Sequence, residues 1–212
     1  METTVKWYNR GTVTQNQNYN LEDHLLLLSN EAVITKIVEF IRTPTMQPID
    51  RFIIFMNWYT DHLDIAESIM VYAALVFANI PNVAPHKKAQ TKSFDEVQKG
   101  IKNQAWDIIY ITTWSMLYYN ETQVSCNILA TDDTTQKIII VNVIPPGQCT
   151  NAIDAIFTTK SHRKKLTGLS KTKLGVAHTR PFKDMKEDEK IAAEKELLEQ
   201  EYRVLQEMCT KN

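Results

Sequence analysis

RFIIFMNWY, residues Arg51–Tyr59, is aromatic and β-branched and shows no strict alternation of apolar and polar side chains. A strand with one wet face alternates, whereas a strand covered by helices on both faces is apolar almost throughout. The stretch therefore reads as a central strand. That reading decides the fold class: an α/β core with a mostly parallel central sheet flanked by helices.

The neighbouring segments are read outward from this strand. Residues 21–42 carry Leu25, Leu28, Ala32, Ile34, Val38 and Ile41 at roughly helical spacing, and TPTMQP ends that run with Pro44 and Pro48. Residues 1–20 include GTVTQNQNYN, rich in amides, and read as a flexible N-terminal arm. After the strand, Thr60 is a plausible N-cap for a helix to about Asn79, closed by Pro81 and Pro85. Ser93 is placed to cap a helix from Phe94 to about Gln104. Cys126–Ala130 and KIIIVNVI, Lys137–Ile144, read as two further strands with only a short connection between them, so either they pair antiparallel or the strand assignment of one end is wrong. The expected organisation is an arm over 1–20, a core over 21–157, a basic linker over 158–184 and a C-terminal helix over 185–212.

At 212 residues, 43% hydrophobic and 23% charged, the chain is long and apolar enough to bury a core. Its longest apolar stretches, such as IMVYAALVFANI from Ile69 to Ile80, fall short of the roughly 18 residues that span a bilayer. No secretion leader is read at the start, and the expectation is a cytoplasmic, intracellular protein with no membrane partner. Cys126, Cys149 and Cys209 are odd in number and widely spaced, which argues against a disulfide framework or structural zinc. The formal charge of −1 conceals segregation: residues 160–183 hold eight Lys or Arg and no acid, whereas 184–212 hold nine acids against five bases.

Phosphate-cradling glycine motifs, a GxSxG elbow and zincin-type histidine spacing are all absent. What remains is carboxylates at the margins of apolar segments. Glu67 shares a helix face with Leu63, Met70, Ala74 and Phe77. Asp107 stands at the edge of WDIIYITTWSML, Trp106–Leu117, and Asp132 and Asp133 close NILATDD. Each has an ordinary structural use: Glu67 can turn to water or pair with a cation, Asp107 can cap a helix, and Asp132 and Asp133 can form a turn. If Glu67, Asp107 and Asp132 converge, like-charge repulsion calls for a hard cation, Mg2+ or Mn2+.

An acid in a helix after a central strand, then Asp107 opening an apolar helix, then a strand ending in ATDD resembles the C-terminal two-thirds of a PIN-like nuclease domain, over about residues 50–145. The resemblance implies a parallel-sheet fold, a carboxylate cluster of Glu67, Asp107 and Asp132 holding Mg2+ or Mn2+ with Asp133 as an auxiliary acid, and metal-dependent RNA cleavage by phosphodiester hydrolysis. The strand ending in Asp with which such a domain starts has no counterpart before Leu21. A second reading follows from that gap: a catalytically incomplete domain that binds nucleic acid or protein. Its nucleic-acid contacts would be Lys160, Arg163, Lys164, Lys165, Lys171, Lys173 and Arg180, with RNA favoured over DNA, although the same segment also fits a solvated linker. Ile191, Leu198 and Leu205, at heptad spacing in the last helix, suit a partner helix, self-association or packing within the chain.

Overall fold

The computed structural model describes residues 24–43, 45–81, 83, 88–119, 129–143, 148–170 and 184–211. Among these the chain forms α-helices and no strand: α1 (Leu25–Arg42), α2 (Pro48–His62), α3 (Glu67–Phe77), α4 (Phe94–Tyr119), α5 (Thr134–Val143), α6 (Gln148–Ile156), α7 (Lys160–Leu169) and α8 (Glu187–Lys211). The expected α/β fold with a mostly parallel central sheet is therefore overturned, and the PIN-like α/β architecture conflicts with this all-helical core.

The error lies in the period of Arg51–Tyr59. Ile49, Phe52, Phe55, Met56 and Tyr59 are buried, the spacing of one helix face, whereas Ile54 points outward with 45% of its surface exposed. Ile53 and Ile54 on the flanks hid that period by making the run look apolar all round. Pro48 occupies the first turn, where its missing N–H is no loss, and Asp50 there complements the helix dipole. Thr60, expected as a cap, is instead inside α2 with its hydroxyl donating to the Asn57 carbonyl. KIIIVNVI is also helical: Ile139 and Val143 are buried while Val141, between them, is 69% exposed. The remaining expected strand, 126–130, falls on described residues only at Leu129 and Ala130, which are irregular.

α3 is the central element, with every residue from Ser68 to Phe77 buried against α1, α2, α4, α5 and α6. A helix apolar on all sides belongs in the middle of a bundle. It ends on Asn79 at φ 53, where the Asn79 and Ile80 amides donate back to the Val76 and Leu75 carbonyls. Asn tolerates this left-handed position better than most residues with a Cβ. Around α3, Phe55 stacks on Tyr59 at 5.6 Å and meets Phe77 edge-on at 5.7 Å, and Phe52 packs on Phe157 at 5.4 Å. Burying each such ring contributes about 1.5–3 kcal/mol.

The ends of the chain's described part close on each other, because α8 lies along α1. Ser29 meets Glu194 and Lys36 meets Glu201, equal steps along both helices, so α1 and α8 run parallel. Leu197, Leu198, Leu205 and Cys209 are buried on this face, while Val204 is exposed. The heptad stripe of the last helix is thus used for packing within the chain. Residues 160–169, inside the segment expected as a linker, form α7, which packs on α2. No helix among the described residues is long and apolar enough to cross a membrane.

Candidate functional site

Asp107 lies in the middle of α4, not at its start, because Ser93 caps the helix much earlier, accepting from the Glu96 amide. At that position Asp107 is half-buried, and burial, then the negative charge of Asp133, push its carboxyl up to about 6, against a hydrogen bond from Gln136. Asp133 is held by a local duty: its Oδ1 accepts from the Gln136 amide at 2.8 Å, capping α5. Tyr72 of α3 is buried beneath both acids, and its hydroxyl is pushed up by burial first and by their charges second. The structure therefore brings Asp107 and Asp133 into one electrostatic neighbourhood.

Glu67 and Asp132 are placed differently. Glu67 opens α3, is exposed, and lies beside Cys149 of α6, whose thiol is raised by burial and then by the Glu67 charge. Asp132 projects into solvent, its carboxylate 3.9 Å from Lys137 Nζ in a loose surface pair. It stands on the rim of an open hollow with Leu129, Thr131 and Val141. Mg2+ or Mn2+ needs several oxygens around one point. Among the described residues no three His, Cys, Asp or Glu side chains come together to hold a metal ion.

The basic residues are better organised. α7 starts at the Thr159 hydroxyl, which accepts from the His162 amide at 3.2 Å. Leu169 is buried, Leu166 half-buried, and Lys165 is bonded to Asp50 of α2, so one side of α7 is anchored. Lys160, Arg163 and Lys164, at helical spacing, remain exposed on the other side. Lys171, Lys173 and Arg180 lie outside the described residues.

A set of acids that the sequence reading missed lies between α1 and α8: Glu31, Glu39, Glu194 and Glu201 are all buried. Tyr202 donates its hydroxyl proton to Glu31 at 2.8 Å, Ser29 donates to Glu194 at 2.6 Å, and Lys36 donates to both Glu39, at 2.9 Å, and Glu201, at 2.7 Å. Glu194 also borders a cleft of about 170 Å³ with Asn30, Val33, Tyr59, Asp64 and Thr112. Burial first, and the charge of Asp64 later, raise its carboxyl to about 7 against the Ser29 hydroxyl. The signal in the sequence was register: Glu194 and Glu201 stand three residues after Ile191 and Leu198, the second inward position of a heptad.

Compared with known proteins, the chain matches no family model, no curated protein and no solved structure.

Proposed function

We propose that this chain is a non-catalytic, all-helical binding module that holds nucleic acid, RNA in the first instance, by its phosphate backbone through α7. One observation carries the reading: Lys160, Arg163 and Lys164 form an exposed cationic row on a helix that contains no acid. Lys160 and Arg163 sit near the helix N-terminus, where the dipole disfavours positive charge by about 0.3–1 kcal/mol per group. Helix stability does not call for cations there, whereas an approaching phosphate does. The segment continues with Lys171, Lys173, Arg180 and Lys183, which lengthens the cationic track in sequence. Phe182 is the lone aromatic from 160 to 183, so the contact is with backbone charge and not by base stacking.

Fluorescence anisotropy with single-stranded RNA over a series of salt concentrations tests this. Binding should weaken steeply with salt, and neutralising the row with Lys160→Gln, Arg163→Gln and Lys164→Gln together should lower the salt slope by roughly 2 and the affinity by about tenfold or more. Binding indifferent to salt or to these three charges removes the reading. RNA that is degraded by the chain with Mn2+ present removes its non-catalytic part.

A further inference from the structure

The junction of α1 and α8 has a charge balance that two ionised carboxylates and one ammonium do not satisfy. Lys36 Nζ donates to Glu39 Oε2 and to Glu201 Oε2, and both acids are buried. The second oxygen of Glu39, Oε1, is buried and has no hydrogen-bond donor. An ionised carboxylate oxygen left without a donor inside a protein is strongly disfavoured, whereas a protonated one becomes a donor and needs only an acceptor. Glu201 is the acid facing it across the junction.

We infer that Glu39 holds a proton on this unpaired oxygen, facing Glu201 beneath Lys36, and that this proton clasps α8 onto α1, so that its loss as pH rises releases α8. The charged and titratable neighbours come from each element packed there. α1 supplies Lys36, α8 supplies Glu201 and Tyr202, and Tyr202 is committed to Glu31. From α2, Trp58 covers the Lys36 ammonium at 5.4 Å and His62 stacks on Trp58 at 5.3 Å. From α4, the Phe94 ring and Gln98 lie against Tyr202. Burial, followed by the bond to Glu201, pushes the Glu39 carboxyl up, and the two acids hold the Lys36 ammonium up against burial's opposite pull. A carboxyl raised in the docked state and ordinary in the released one binds its proton more tightly when docked. Docking is then firm in acid and weakens as pH climbs out of the ordinary carboxylate range.

Cys209, buried on the docked face of α8, reports release through its rate of labelling by a neutral disulfide reagent in the full chain carrying Cys126→Ser and Cys149→Ser. Dividing that rate by the rate in the same chain with Glu39→Gln cancels the thiol's own titration. The ratio should rise at least about tenfold between pH 6 and pH 9, since one unit of pKa difference is a factor of ten. Glu201→Gln should flatten the profile in the same way, and His62→Gln should leave it intact. Amides of α3 should keep their protection from hydrogen exchange throughout. A flat ratio overturns the clasp, as does loss of α3 protection in step with Cys209 labelling, which would mean global unfolding.

Discussion

Ser29 Oγ donates a 2.6 Å hydrogen bond to Glu194 Oε2, tying the first described helix to the last across 165 positions of sequence. The carboxyl it serves is buried and raised to about 7, so the folded chain binds its proton more tightly than the unfolded chain does. Stability from this group is therefore present in full below its ordinary value near 4.5 and declines as pH rises through about 7. Ser29→Ala leaves a buried carboxylate short of a donor and should cost about 1–3 kcal/mol at pH 8. At pH 5, where Glu194 is protonated, the loss should be smaller. Urea unfolding of both chains at the two pH values checks the sign, and an equal loss at both would contradict it.

Asp133 has two separable effects, as a cap and as a charge. Asp133→Ala should cost about 1 kcal/mol through the lost α5 cap. Asp133→Asn keeps an oxygen for the Gln136 amide but removes the charge that helps hold Asp107 at about 6. Its melting temperature should stay near that of the parent while the Asp107 midpoint, followed by carboxyl NMR, moves downward. An unmoved midpoint would separate the two acids.

Residues two apart share the face of a strand and lie on different faces of a helix. Ile139 is fully buried and Val141 is 69% exposed. Ile139→Ala should cost about 2–5 kcal/mol. Val141→Lys should change stability by less than about 0.5 kcal/mol. Comparable losses at both positions would restore the strand reading of this segment.

The same contrast applies to α2. Phe55, enclosed by Trp58, Tyr59 and Phe77, should lose about 3–5 kcal/mol on truncation to Ala. Ile54→Lys, next to it in sequence and exposed, should be close to neutral and should lower any tendency to associate. Calorimetry and sedimentation of the two variants decide this.

Local signals in the chain were enough for α1, the Ser93 cap of α4 and the extent of α8, because amphipathic spacing and capping residues act within a few positions. Asp133 reads as a turn former between two strands, whereas its side chain caps the start of α5. Arg51–Tyr59 and Lys137–Ile144 misled because β-branched runs carry the composition of a covered strand while their burial follows a helical period. Only packing distinguishes the two. The carboxylates show the same division. That Glu67, Asp107, Asp132 and Asp133 flank apolar segments is written in the sequence, but whether they meet depends on how α3, α4 and α5 are set against each other.

By itself the sequence determined where charge accumulates, notably the acid-free basic run from Lys160, and that the segments of α1 and α8 are helical by spacing. The tertiary structure alone decided that α8 folds back along α1 and buries four carboxylates there. Pairs such as Ser29 with Glu194 or Lys36 with Glu201 are made by helices far apart in sequence brought together in space, and desolvation acts on a side chain only once its neighbours have closed over it.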